Sequence, residues 1–202
     1  MFFSPTLLQL HEQNIPVYIL CLSKGDYNRL GNLRLDEFYS SCKQLNIPNT
    51  NYRVINDPLL LRDDPTLDWQ PDAIIGHVKN VIQEWNINVL LTFDHQGISK
   101  HKNHVSIYRC LPHLIQQTKG RIKQVFVLNT VPLYRKYLTL IDLISYVMKF
   151  KHRPKYCFLL SRRHLLKPYL AMREHRSQLV WFRYLYMLFS RYIWINDYTR
   201  FS

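Results

Sequence analysis

The chain contains no Cys-x-x-Cys pair, no Asn-x-Ser/Thr sequon and no uninterrupted apolar run of the ~18 residues that would suggest a membrane-spanning helix. Its four cysteines, Cys21, Cys42, Cys110 and Cys157, stand far apart. That scatter indicates neither a thiolate zinc site nor a disulfide framework, and a reducing, cytosol-facing environment fits best. The opening MFFSPTLLQLHEQN lacks the basic start of a secretory signal, so the expectation is a soluble or peripheral chain. Acidic residues are scarce as well: 14 Asp and Glu face 27 Lys and Arg, for a formal net charge of +13. The excess favours an anionic partner, whether nucleic acid, a phosphorylated substrate or an anionic membrane face. No nucleic-acid motif accompanies the charge, so nucleic acid is not the expected partner.

What is present suits a single compact domain. A chain of 202 residues removes roughly 70% of its extended surface from water on folding. Short apolar runs read as buried strands: VYILCLS from Val17, YRVIN from Tyr52, VLLTFD from Val89, QVFVLN from Gln124 and YCFLL from Tyr156. Helical patterns lie between them. Arg34 to Leu45 is one; Pro71 to Trp85 is another, with proline at its start and Ile74, Val78 and Ile82 repeating on one face. This alternation predicts an α/β fold with a mostly parallel sheet flanked by helices.

In such sheets ligands sit beyond the carboxyl ends of the strands, which singles out SKGDYNRLG after the Val17 strand and DHQGISKH after the Val89 strand. The second loop is rich in chemistry. With Ser99 as cap, a helix from about Lys100 toward Leu111 puts His101 and His104 on one face. Neutral imidazole is a common zinc ligand, and a second histidine can protonate a leaving group or support an oxyanion. On spacing alone, two satisfied surface histidines fit better; the strand end, the Gly97 turn and the Asp94 carboxylate bring a catalytic cleft level with that reading. Asp94, just after the strand, is a candidate to orient one histidine's tautomer, or to cap a turn. The C-terminal stretch QLVWFRYLYMLFSRYIWINDY from Gln178 reads either as a helix burying an aromatic stripe or as an interfacial membrane contact.

Taken together, the blocks MFFSPTLL, LSKGDYNRLGNLRLDEFYSSCKQLNIP, DDPTLDW, LLTFDHQGISKHKNHVSIY, LYRKYLTLIDL and MREHRSQLVWFRYLYMLFSRY follow one another along nearly the whole chain. In that order they resemble the N-acetylglucosaminyl-phosphatidylinositol de-N-acetylases of the LmbE-like (PIG-L) superfamily of zinc deacetylases. The resemblance implies a Rossmann-like fold in one LmbE-like deacetylase domain over residues 1–202. It also implies hydrolysis of the acetamide of N-acetylglucosaminyl-phosphatidylinositol at the cytosolic face of the endoplasmic reticulum membrane. In the family a His and an Asp of an HPDDE motif and the last His of the HxxH block hold zinc, and the other Asp is the general base. His104 matches the last ligand, and His101 matches the residue that protonates the leaving amine or supports the oxyanion. Arg34 and Glu37 match the family's RxxE pair, which makes Arg34 a candidate for the sugar or phosphate of the substrate, or for a structural salt bridge to Glu37 or Asp57. His175 to Gln178 match a further block, whose role is substrate contact or helix capping.

The HPDDE motif itself is not in this sequence. Two zinc ligands and the general base are thus expected to be missing, together with the first, central strand between the Val17 and Val89 strands and a membrane-spanning N-terminus. The expectation is an N-terminally incomplete domain with Met1 as an internal methionine. Lys100, where the family has Gly, and Asn103, where relatives have Asp, are smaller departures. An alternative of another class is a non-catalytic module that holds an anionic glycolipid or contacts the full-length enzyme.

Overall fold

The computed structural model describes residues 2–139 and 155–202, together with Ile144 and Met148. Met1 and residues 140–143, the end of the LYRKYLTLIDL block, lie outside the described residues. In chain order the elements are α1 (Ser4–Glu12), β1 (Ile19–Cys21), α2 (Gly31–Gln44), β2 (Tyr52–Val54), α3 (Pro71–Glu84) and β3 (Val89–Phe93). They continue as α4 (Gly97–Lys100, a single turn), α5 (Lys102–Arg109), α6 (Leu111–Gln117), β4 (Gln124–Leu128) and α7 (Leu133–Tyr137). The last are β5 (Tyr156–Leu159), α8 (Lys167–Glu174), α9 (Trp181–Phe189) and β6 (Ile195–Arg200). The result is an α/β fold with a small central sheet flanked by helices, as the alternation of apolar runs and helical patterns predicts.

Three helices stop by the same local rule. After α1, α2 and α3 the chain reads Asn-Ile, and Asn14, Asn46 and Asn86 each take a positive φ of 55° to 59°. Asparagine tolerates this left-handed conformation, so its N–H bonds back three residues while that of Ile15, Ile47 or Ile87 bonds back five. Each pair thereby satisfies end carbonyls of its helix and turns the chain toward the next strand.

The strands form two sheets. β1 pairs with β2, and a four-stranded sheet has the order β3-β4-β6-β5. β3 and β4 are parallel with Phe93 opposite Leu128, while β4 and β6 are antiparallel with Leu128 opposite Tyr198. The mostly parallel expectation therefore holds for β3 and β4 but not for β6, which begins where the sequence predicts the end of a C-terminal helix. That helix stops at Phe189; a turn over Arg191–Ile193 follows, and β6 carries polar residues, Asn196 and Asp197, into a buried position. They are tolerated because each is bonded: Asn196 accepts from the Thr6 hydroxyl at 2.8 Å, and Asp197 accepts from Arg191 at 2.5 Å.

The chain divides into two compact units. One comprises Met1–Ile19, Asn32–Tyr52 and Val131–Asp197; the other comprises Leu20–Gly31, Arg53–Thr130 and Tyr198–Ser202. The first has a core around Leu8, Cys42, Leu45, Ile47 and Ala171. The second is centred on Ile74, Val78 and Ile82 of α3, packed with Leu111, Leu114, Val125 and Val127. In the second unit β4 is buried from its second residue on, whereas β3, last in its sheet, is only half-buried along most of its length.

Candidate functional site

Asp94 and Thr130 are neighbours because β3 and β4 run parallel in register and both chains leave the sheet at the same end. Asp94 is buried, and its carboxylate accepts from four donors. Oδ1 takes the backbone N–H of Gln96 and of Gly97, both at 3.0 Å, and the Thr130 hydroxyl at 2.6 Å. Oδ2 takes the Thr130 N–H at 2.6 Å. The Thr130 hydroxyl oxygen in turn accepts from the N–H of Ile98 at 2.9 Å. One carboxylate thus ties the loop after β3 to the loop after β4.

The turn it holds is wound unusually. Gly97, Ile98 and Lys100 all have positive φ, near 60°. For a β-branched residue such as Ile98 that conformation is strained, and it persists because the surrounding bonds over-determine it. The winding also shifts the helix start. α5 begins at Lys102 rather than at about Lys100, with His101 in extended conformation as its first flanking residue, and the chain breaks again at Cys110 before Pro112. The helix expected from Lys100 toward Leu111 is therefore α5, Lys102–Arg109, which starts two residues later because Lys100 is left-handed and His101 extended.

His101 and His104 nevertheless meet, with ring centroids 5.1 Å apart. His104 stacks on Phe93 at 3.9 Å, nearly parallel. Its Nδ1 lies 3.1 Å from the Gly97 carbonyl. A carbonyl only accepts, so Nδ1 carries the proton and the lone pair of the neutral ring sits on Nε2. Burial pushes the imidazole down to about 4, against the pull of the Gly97 carbonyl and with some help from His101. His104 is thus a neutral, oriented imidazole. His101 differs: its buried Nδ1 has no hydrogen-bond partner. Asp94 is linked to the His104 ring through Gly97, whose N–H bonds the carboxylate and whose carbonyl accepts from Nδ1.

The sequence singles out His101, His104 and Asp94, and the structure brings all three onto one turn. It adds three participants that sequence reasoning missed: the Gly97 carbonyl, Thr130 and the Phe93 ring. An aspartate three residues before a glycine was a usable turn signal; nothing in the sequence links position 94 to position 130. Among the described residues, no three His, Cys, Asp or Glu side chains gather as a metal cage. No described helix is long and apolar enough to cross a membrane.

Arg34 lies in the other unit, half-buried on α2. Glu37, one turn on and buried, accepts the Ser177 N–H at 2.6 Å and the Ser177 hydroxyl at 2.7 Å. Asp57, the other partner considered for Arg34, accepts instead from Leu59, Leu60 and the His77 ring within its own unit. Arg183 is held below the usual guanidinium range, chiefly by burial and in small part by the charge of Arg34. His175 has a buried Nδ1 without a hydrogen-bond partner, and burial pushes this ring down to about 4.

The family model described as PIG-L, GlcNAc-PI de-N-acetylase, matches residues 1–115. The N-acetylglucosaminyl-phosphatidylinositol de-N-acetylase of Bos taurus is 38% identical over 200 residues, covering 98% of this chain and 77% of the bovine protein. A probable N-acetylglucosaminyl-phosphatidylinositol de-N-acetylase of Schizosaccharomyces pombe is 34% identical over 197 residues, 96% of this chain and 78% of the yeast protein. The solved structure of N,N'-diacetylchitobiose deacetylase from Pyrococcus horikoshii superposes with a TM-score of 0.67 at 13% identity, covering 99% of this chain and 78% of that one, a likeness of fold. With two relatives above 30% identity along nearly its full length and a family model matching its first half, this chain belongs to the GlcNAc-PI de-N-acetylase (PIG-L) family.

Proposed function

We propose that the chain serves the zinc-dependent removal of the N-acetyl group from N-acetylglucosaminyl-phosphatidylinositol, giving acetate and glucosaminyl-phosphatidylinositol, the second step of glycosylphosphatidylinositol-anchor synthesis. The place of action is the cytosolic face of the endoplasmic reticulum membrane. The observation that carries this reading is the seat of His104, whose Nδ1 bond to Gly97 leaves a neutral ring with its lone pair on Nε2. Zinc asks a histidine ligand for that state, with the other nitrogen fixed by a carbonyl or carboxylate. His104 meets the demand by itself. The described residues do not complete a zinc cage around it, so no step is drawn through the metal. When bound, zinc polarises an amide carbonyl and acidifies water.

The roles of this chain's own residues follow. His101, 5.1 Å away and with Nδ1 unengaged, is the acid that hands a proton to the leaving amine nitrogen, or the donor to the oxyanion. Asp94 acts as a positioning residue, holding the Gly97 turn on which His104 rests. Arg34 takes a phosphate or sugar oxygen of the glycolipid, for which a guanidinium fork is suited.

Acetate release from N-acetylglucosaminyl-phosphatidylinositol with added zinc tests the assignment. The chain alone should bind zinc weakly and release little, and joining an upstream strand and HPDDE motif to it should restore both, the background in which the two histidines are read. His104→Ala should lower zinc affinity and abolish release, whereas His101→Gln should cut kcat by about 10²-fold or more with zinc affinity unchanged. Release indifferent to both substitutions would overturn it. Binding of the glycolipid without any release would favour a non-catalytic binding module instead.

A further inference from the structure

Helix α9 turns its apolar side outward. Tyr186 and Met187 are buried and Arg183 is half-buried against its own unit. Trp181 (74% exposed), Phe182, Tyr184, Leu185, Leu188 (63% exposed) and Phe189 stand in solvent. A surface helix of a water-soluble domain does the reverse, burying its apolar stripe and showing polar residues. α7 packs on α9 in the same unit and extends the patch with exposed Leu133, Tyr134 and Leu138. Single exposed apolar residues are ordinary; a contiguous face of this kind marks an interaction site.

Charge and residue type select the occupant. From Lys155 to Arg191 the only acidic residue is Glu174. Arg162, Arg163, Arg173 and Arg176 in that stretch are exposed. Bulky aromatics and leucines exposed on a strongly cationic stretch of chain suit the boundary between acyl chains and anionic headgroups, where rings sit at the interface and cationic groups meet phosphate. A second copy of the chain would bring its own charge of +13 against this one. At nine residues α9 is far too short to cross a bilayer, so it lies along the surface.

We propose that α9 and the exposed side of α7 seat the chain on an anionic bilayer, with Trp181, Phe182, Leu185 and Leu188 in the interface and the chain's net positive charge favouring the anionic surface. This docking stands apart from the deacetylation reading, and it is tested with vesicles that contain no glycolipid substrate, so either can fail alone.

The test is co-flotation with large unilamellar vesicles of phosphatidylcholine, with and without about a third phosphatidylserine. Binding should require phosphatidylserine and weaken with salt. Leu185→Glu combined with Leu188→Glu should lower the partition coefficient at least about tenfold while the thermal unfolding curve stays in place. Trp181→Phe should still bind, but should lose most of the fluorescence quenching that brominated phosphatidylcholine causes in the unsubstituted chain. The proposal is overturned by absent vesicle binding, by a double variant that binds as well as the parent, or by quenching that survives Trp181→Phe. It is equally overturned if the double variant abolishes a concentration-dependent dimer and leaves vesicle binding unchanged.

Discussion

His104 rests on Gly97: Nδ1 donates to the Gly97 carbonyl at 3.1 Å, and a Cβ at position 97 would lie 2.7 Å from the His104 Cβ. Gly97 also has φ of +58°, where any side chain is strained. Gly97→Ala should therefore cost about 2–4 kcal/mol, from left-handed strain and the clash together. It should also displace the imidazole that carries the proposed ligand role. Urea denaturation reads the first effect and zinc titration the second; an unchanged urea midpoint would show that the turn relaxes freely.

Asp94→Ala leaves the N–H groups of Gln96, Gly97 and Thr130 and the Thr130 hydroxyl without their shared acceptor. Orphaning several buried donors at once should cost roughly 3–5 kcal/mol. Thr130→Val removes one of those bonds and the acceptor for Ile98, and should cost roughly 1–2 kcal/mol. Because the two residues share a network, the double variant should lose less than the sum of the singles. Strict additivity in urea denaturation would mean that the two loops are not coupled through this carboxylate.

Much of this architecture is legible in the residues. The five strands expected from apolar runs all form, although the Val17 run shortens to Ile19–Cys21, and α3 runs Pro71–Glu84 with Ile74, Val78 and Ile82 buried as its periodicity requires. β6 was illegible because Asn196 and Asp197 are buried only by virtue of partners far along the chain, Thr6 for one, or in an adjoining turn, Arg191 for the other. For α9 the sequence leaves two readings open, a buried aromatic stripe or an interfacial face, because periodicity identifies an apolar stripe but not the side on which the rest of the protein lies; six of its apolar side chains are exposed. At the site, residue types pointed to the two histidines and to Asp94, but the winding of Gly97, Ile98 and Lys100 comes from a tie to Thr130 that only the parallel register creates.

Glu37 offers a cleaner separation of charge from shape. Its buried carboxylate accepts two bonds from Ser177. Glu37→Gln keeps the volume but replaces one accepting oxygen by a donor that faces another donor, so a loss of about 1–3 kcal/mol is expected. Ser177→Ala keeps the backbone bond and should lose only about 1 kcal/mol. Thermal unfolding of both variants checks the order, and a Ser177→Ala variant less stable than Glu37→Gln would reverse the reading.

His175 supplies a pH dependence whose direction follows from its environment. Burial lowers the folded ring to about 4 from an ordinary 6.5, with Glu37 opposing the shift and Arg183 adding to it. Between those values the unfolded chain binds a proton that the folded chain refuses, so stability rises with pH across this window. The contribution is fully present above about 6.5, falls as the pH drops toward 4, and amounts to something on the order of 3 kcal/mol. His104 is lowered in the same way, but it titrates in parent and variant alike and cancels in their difference. His175→Gln should therefore lose less stability than the parent between pH 7 and pH 4.5 in urea denaturation. Equal losses in the two proteins would mean that the His175 ring is protonated in the folded state or reached by water.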